Sequence, residues 1–261
     1  LNYLQAIILG IVQGLTEFFP VSSSGHLELF QLFFGLENPK NFIFFDLICH
    51  LGTLLAIFVA FKEEIKRILF QDKAAIKAIM IALLPLFPLL LILKEVKALF
   101  DKPELLGFTF MITSVLLFIS MRFKEKQKET APKRQFSYKA PLFIGLFQAF
   151  AILPGVSRSG STIAAAKMVG WTAEEAIRFS FLLAIPTILG GALVETLSLV
   201  KEGTLLTAGY SMAGPCLAGF ITSFVVGLFA LKTLITLGLR AIHFFAWYCL
   251  LLSCFCLLYF L

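Results

Sequence analysis

Six stretches of the chain, 42–61, 78–93, 105–121, 176–200, 205–231 and 242–261, are almost continuously apolar. They approach the roughly 20 residues that a helix needs to cross a bilayer, so each is predicted as a spanning helix. Pro85 and Pro88 fall inside the second stretch and predict a kink there, because proline removes an amide donor and clashes with the preceding turn. Two further apolar stretches, 1–35 and 141–170, are broken in the middle. Pro20-Val21-Ser22-Ser23-Ser24-Gly25 interrupts one and Pro154-Gly155-Val156-Ser157-Arg158-Ser159-Gly160 the other. The halves on either side are too short to span, which predicts two re-entrant helical hairpins. Irregular backbone at membrane depth is tolerated only where protein or a wet cavity surrounds it.

The two broken stretches match each other. An offset of 135 positions lays Gly10 on Gly145, Gln13 on Gln148, Val21 on Val156 and Ser22 on Ser157. The same offset lays Ser24 on Ser159, Gly25 on Gly160 and Gly35 on Gly170. A second match, at 128, puts Leu54-Leu55-Ala56-Ile57 on Leu182-Leu183-Ala184-Ile185, with Asp46 and His50 on Glu174 and Arg178. Coincidence in Gly, Ser and Gln, rather than in greasy residues, points to internal duplication. The expected organisation is one membrane domain, 1–261, with repeat one at 1–121, a basic loop at 122–140 and repeat two at 141–261.

Composition agrees with a membrane solvent. Hydrophobic residues make up 59% of the chain and charged residues 15%, with a mean hydropathy of +0.92. Those values exclude a soluble globular domain and a disordered one. The formal charge of +6 raises the question of nucleic acid, but the basic residues sit mostly between apolar blocks. Their placement is a topology signal, and no nucleic-acid partner is expected. Loops 62–77, 122–139 and 232–240 carry fourteen Lys and Arg, against five in 37–41, 94–104 and 201–203. The first group is therefore expected in the cytoplasm. With hairpins that return to the side they entered, both termini lie outside. Each half then crosses three times, which inverts the second half relative to the first. The expected fold is thus an all-α integral membrane protein built as an inverted-topology repeat, with about six transmembrane helices plus two re-entrant hairpins. In such folds the broken helices meet near the midplane, so residues 13–26 and 154–162 should face each other.

Cys49, Cys216, Cys249, Cys254 and Cys256 show no zinc-ligand spacing and read as packing residues. The first apolar block lacks a basic leading region and is interrupted by Gln13 and Glu17, unlike a cleaved signal peptide.

Chemistry converges on the hairpins. The first contributes Gln13, Glu17, Ser22, Ser23, Ser24 and His26; the second contributes Gln148, Ser157, Arg158, Ser159, Gly160, Ser161 and Thr162. A carboxylate at membrane depth is costly unless paired, protonated or metal-bound, which marks Glu17 as functional. A purely structural reading pairs Glu17 with Arg158 or His26 to hold the hairpins together. In the second hairpin the glycines allow backbone N–H groups to converge, and the helix that follows adds its positive end. Arg158 adds a permanent planar charge suited to phosphate oxygens. Together these features describe an oxyanion cradle for phosphate or diphosphate; the competing reading is a small-residue packing turn, which gains nothing from a buried guanidinium. His26 is a candidate nucleophile or general acid–base. Glu17, with Gln13, is a candidate site for a divalent cation, Mg²⁺ or Ca²⁺, shared with diphosphate oxygens. Asp46 and His50, four residues apart, either line the cavity or pair with each other; Glu174 and Arg178 occupy the matched positions in the second half, near the inner surface. Lys167 and Glu28 are expected to snorkel.

The run Gln13-Gly-Leu-Thr-Glu17-Phe-Phe-Pro-Val-Ser-Ser-Ser-Gly-His26, followed by Pro154-Gly-Val-Ser-Arg-Ser-Gly-Ser-Thr162, resembles the bacterial undecaprenyl-diphosphatase family, whose members confer bacitracin resistance. The resemblance extends to Phe45-Asp46, His50-Leu-Gly-Thr and Phe179-Ser-Phe-Leu-Leu-Ala-Ile-Pro186. It implies six spanning helices plus re-entrant pairs in an inverted repeat. The implied activity is removal of one phosphate from undecaprenyl diphosphate at the outer face of the bacterial cytoplasmic (inner) membrane, with a divalent cation. That reaction regenerates the lipid carrier for peptidoglycan, so the implied partners are a polyprenyl diphosphate and membrane lipid. By the resemblance Glu17, Ser23, His26 and Arg158 carry catalysis, Glu17 and Gln13 the metal. Gln13 stands where the family pattern admits Glu or Gln, which removes one metal-directed charge.

Two rival classes share some of these features. A secondary transporter or lipid flippase also uses inverted repeats and broken helices, but needs no nucleophile or metal beside its anion site. A membrane phosphatase of the phosphatidic-acid type uses Ser-Gly-His and Ser-Arg elements, together with an upstream Lys…Arg-Pro and a later His paired with Asp. Neither of the latter is present, and His243 has no acidic neighbour.

Overall fold

The computed structural model describes residues 1–36, 42–92, 102–123, 137–203, 205–238 and 240–261, and for 205–211 and 240–241 the backbone alone. Among the described residues all regular structure is helical.

The first hairpin is α1 (Tyr3–Phe18) and α2 (Ser23–Phe33). A capping box between Asn2 and Gln5 starts α1. It stops because the chain must leave helical geometry ahead of Pro20, and Phe19 is extended at φ −65°, ψ 141°. Next come α3 (Ile43–Ala60), α4 (Lys62–Gln71), α5 (Lys73–Leu83) and α6 (Leu105–Met121). The second hairpin is α7 (Lys139–Phe150) and α8 (Arg158–Met168). After it run α9 (Ala173–Lys201), α10 (Leu205–Leu237) and α11 (Arg240–Phe260), with α9 begun by a Thr172–Glu175 capping box.

Among the described residues five helices are long and apolar enough to cross a membrane: Ile43–Ala60, Lys73–Ile92, Ala173–Lys201, Met212–Leu237 and Ile242–Phe260. The sixth predicted span, α6, has 17 residues, at the short end of the spanning range. Tyr3–Phe18 and Lys139–Phe150 are shorter apolar helices, as hairpin arms require. At Pro85 and Pro88 the predicted kink is a change of helix type, with 3₁₀ turns over Leu84–Leu86 and Pro88–Ile92. The exterior carries large apolar side chains such as Leu91, Leu193, Phe229, Leu251 and Leu258, whereas Gln13, Glu17, His26, Gln148 and several Ser and Thr are buried. An apolar skin over a polar interior is what a lipid solvent favours. The chain is a multi-pass, all-helical membrane protein.

Several expectations need correction. Residues 62–77, read as a basic loop, are helical in α4 and the start of α5. Lys66–Glu63 and Arg67–Glu64 pairs, 3.6 and 3.3 Å apart, support α4, and its Ile68 is buried. Loop charges report which side a segment lies on, and say nothing about whether its backbone is helical. Likewise α10 continues to Leu237, through most of the expected loop 232–240. Lys167 is buried and so does not snorkel. Most of the expected basic loop 122–140 lies outside the described residues, as do 37–41 and most of 94–104.

The helices pair crosswise. α1 packs along α10, and its sequence match α7 packs along α5. α3 packs against α9 and α6 against α11, each pair joining one element from either half of the chain. Glycines set the close approaches: a methyl group on Gly10 would meet the Gly219 carbonyl oxygen at 2.9 Å, and one on its match Gly145 would overlap the Ala82 backbone. The two hairpin tips follow the same rule. A methyl on Gly25 would lie 3.0 Å from Gly155 Cα, and one on Gly160 3.4 Å from Pro20 Cβ. Because 135 positions separate Gly25 from Gly160 and Pro20 from Gly155, these are one contact made twice.

Candidate active site

The crosswise tips bring residues 13–26 and 154–162 together, as the sequence predicted. Glu17, on the last turn of α1, is at their centre and is buried. Its Oε1 accepts from Arg158 Nη2 at 2.5 Å, across the two hairpins. Its Oε2 accepts from Gln13 Nε2 at 3.0 Å, one turn earlier, and from Ser23 Oγ at 2.9 Å. His50 Nε2 on α3 lies 3.6 Å from the same oxygen. Arg158 Nη1 also donates to the Ser180 carbonyl on α9 at 3.3 Å, which fixes the guanidinium plane. A buried ion pair of this kind is costly to assemble and worse to break, since either partner alone is an uncompensated charge.

The start of α8 is tied down around it. Ser157 caps the helix, its Oγ accepting from Gly160 N at 3.0 Å, while its own N–H donates to Thr113 Oγ1 at 3.0 Å. Ser159 Oγ donates to the Phe19 carbonyl at 3.2 Å and lies 3.2 Å from Ser157 Oγ. Ser161 N donates to the Ser157 carbonyl at 2.9 Å. These bonds narrow the expected cradle. The N–H groups of Gly160 and Ser161 are already used, and helix geometry leaves those of Arg158 and Ser159 as the first-turn donors. Thr162, expected to bind an anion, turns its hydroxyl to the Arg158 carbonyl at 2.9 Å and to Ser180 Oγ at 2.7 Å. Ser161 Oγ is buried without a hydrogen-bond partner.

The first hairpin turns differently. Ser22 caps α2 through Gly25 N at 3.4 Å and sits at φ +74°, in the left-handed region that disfavours a side chain. Ser22 Oγ and Ser24 Oγ are 3.4 Å apart. His26 does not pair with Glu17. Its Nδ1 lies 2.6 Å from the Ser22 carbonyl and its Nε2 2.7 Å from the Tyr248 hydroxyl on α11. A carbonyl only accepts, so Nδ1 carries the proton and Nε2 presents its lone pair.

Sequence reasoning placed Gln13, Glu17, Ser23 and Arg158 in one network, and the structure joins them. It missed Tyr248, Thr113 and Ser180, ordinary residues of apolar helices with no motif around them. It gave Asp46 and His50 a lesser place. The Asp46 carboxylate accepts from Gln31 Nε2 at 3.0 and 3.1 Å, and His50 Nδ1 donates to the Asp46 carbonyl at 2.7 Å. That bond orients His50 toward Glu17. Arg178 and Glu174 are elsewhere: Arg178 joins Glu174 at 3.1 Å and Glu64 at 2.6 Å, beside two cavities of about 230 and 270 Å³.

For a metal, the donor set is mixed. Among the described residues no three His, Cys, Asp or Glu side chains cluster to hold an ion. Gln13 Oε1, however, is buried with no hydrogen-bond partner while its amide nitrogen binds Glu17. An orphaned oxygen beside a carboxylate and a hydroxyl suits a hard divalent cation that takes its remaining ligands from phosphate.

Taken together, the fold and site define a multi-pass membrane protein with a buried carboxylate–guanidinium centre at the meeting point of two broken helices. The family model of the bacitracin resistance protein BacA matches residues 6–255, and the chain belongs to that family. It is 46% identical over 257 residues to an undecaprenyl-diphosphatase of Protochlamydia amoebophila, covering 98% of each chain. It is 40% identical to an undecaprenyl-diphosphatase of Carboxydothermus hydrogenoformans, over 89% of this chain and 87% of the relative. It is 37% identical to that of Bacteroides fragilis, over 95% of each.

Proposed function

We propose that the chain hydrolyses undecaprenyl diphosphate to undecaprenyl phosphate and inorganic phosphate, within a bacterial cytoplasmic membrane and from the outer face. The observation that carries this reading is the buried Arg158–Glu17 pair bridging the hairpins, with Ser23 on the same carboxylate. The relatives' shared name supplies the substrate. The crosswise contacts support the inverted two-half arrangement that puts such a site at membrane depth.

The prenyl tail lies among the apolar helices and the diphosphate reaches the hairpin tips. Arg158 binds equatorial oxygens of the terminal phosphate and offsets the charge that develops there. A water oxygen attacks the terminal phosphorus, its proton passes to His26 Nε2, and the bond to the bridging oxygen breaks to leave the lipid monophosphate. Glu17 holds Arg158 and Ser23 in position. A divalent cation, Mg²⁺ or Ca²⁺, would be held by Glu17 and Gln13 with diphosphate oxygens, where it would neutralise the leaving phosphate. Ser22, Ser24, Ser157 and Ser159 shape the turn backbones that frame the phosphate, with Gly160 and Ser161 behind them.

A second reading rests on the 2.9 Å Ser23–Glu17 hydrogen bond: Ser23 Oγ is the nucleophile and a phosphoserine forms and is hydrolysed. The test is phosphate release from undecaprenyl diphosphate by detergent-purified protein, with and without EDTA, beside Ser23→Ala. Cation-dependent release by the wild type supports the hydrolase. No release with several divalent ions overturns it. Ser23→Ala slowed about 10-fold supports attack by water, and complete loss with normal folding supports the phosphoserine route.

A further inference from the structure

Tyr248 is the outermost layer over His26. The residue is 37% exposed on α11, whereas His26 is 4% exposed behind it. The two rings stack with centroids 5.6 Å apart and 11° between planes, and Phe110 packs against the imidazole in a T-shape at 5.3 Å. The Tyr248 hydroxyl meets Nε2 at 2.7 Å, and the Ser22 carbonyl holds Nδ1 at 2.6 Å. The imidazole is therefore held at both nitrogens with two aromatic rings packed against it, and the basic nitrogen is the one Tyr248 covers.

We propose that Tyr248 positions His26 and relays the proton to its Nε2 in the reaction, an assignment that rests on the phosphatase reading given above. With the neutral ring, the phenol O–H donates to the Nε2 lone pair and shields it. Because Nε2 has a single lone pair, the water's proton reaches it through the phenol: it passes to the Tyr248 oxygen as the phenol's own proton passes to Nε2, and the bond becomes N–H to phenol oxygen. The same side chain thus holds the imidazole through both protonation states without moving. Among the described residues no other polar group contacts Nε2. Outer partners that orient metal-bound histidines are worth about 10- to 100-fold in affinity or activity, and a loss on that scale is expected here.

The test is Tyr248→Phe, which keeps the ring, its stacking and its lipid-facing surface and removes the hydroxyl. Two readouts are made on purified protein: kcat and KM for phosphate release from undecaprenyl diphosphate, and the rate at which diethyl pyrocarbonate modifies His26, resolved from His50 and His243 by peptide mass spectrometry. In Tyr248→Phe kcat is expected to fall about 10-fold with KM within about twofold. Modification of His26, whose Nε2 is then uncovered, is expected to speed up severalfold. Wild-type kcat, or unaltered His26 reactivity, overturns the assignment. The reactivity measurement does not depend on turnover, so a wild type that releases no phosphate defeats the phosphatase reading alone.

Discussion

The two hairpins share a register and differ in chemistry. α1–α2 and α7–α8 place matched glycines in matched contacts, and both second helices are capped by a serine at the same position of the 135-residue offset. Where one has Glu17, Ser23 and His26, the other has Ile152, Arg158 and Ser161. The first hairpin thus supplies a carboxylate, a hydroxyl and an imidazole, and the second supplies a guanidinium. Their facing arrangement makes one asymmetric site out of two similar supports. The turns diverge in the same sense: the positive φ falls on Ser22 in one hairpin and on Gly155 in the other. Strain of about 1–3 kcal/mol is held on the side that carries His26.

Breaking the charge asymmetry gives the largest effect. Arg158→Met leaves Glu17 buried without its cation and is expected to cost about 3–5 kcal/mol of stability, with phosphate release reduced at least about 1000-fold. Combining it with Glu17→Gln is expected to restore most of the stability and none of the activity, which thermal unfolding and phosphate assays separate. His26→Ala removes the base and is expected to lower kcat by about 100- to 10,000-fold with folding intact. An unchanged kcat there would show that the base sits elsewhere.

The shared scaffold is tested more gently. Gly145→Ala forces a methyl into the Ala82 backbone and is expected to destabilise the α7–α5 contact by about 1–3 kcal/mol, as Gly10→Ala does at α1–α10. Gly190→Ala, on α9 where a methyl meets nothing within 4 Å, is expected to stabilise by about 0.5–1 kcal/mol. The smallest difference compares the caps. Ser22→Gly relieves a left-handed backbone and is expected to be neutral or slightly stabilising, whereas Ser157→Gly, at φ −71°, is expected to cost a few tenths of a kcal/mol.

The hairpins were legible in the sequence because they break the pattern around them. Gln13, Glu17 and Arg158 stand out where lipid forbids idle charge, and Pro, Gly and Ser mark the turns. The spans were legible from length alone, including the prolines that convert the end of Lys73–Ile92 to 3₁₀ geometry. α4 was not, since its charges resemble a loop's until the three-residue spacing of Glu63–Lys66 and Glu64–Arg67 is read as helical pairing. Tyr248 was invisible for the opposite reason. One aromatic among many in an apolar helix carries no signal until the fold lays it over a histidine 222 positions away. The Ser161 and Thr162 hydroxyls looked equivalent to their neighbours, yet helix phase turns Thr162 onto Ser180.

The central claim is that a guanidinium from one hairpin, held by a carboxylate from the other, binds the phosphate that is removed. Its most direct measurement is the rate of phosphate release from undecaprenyl diphosphate by Arg158→Lys beside the wild type. Lysine keeps the charge but lacks the planar fork that spans Glu17 and phosphate together. The account predicts a fall of at least about 100-fold in kcat/KM with the protein still folded. Wild-type turnover in Arg158→Lys would contradict it.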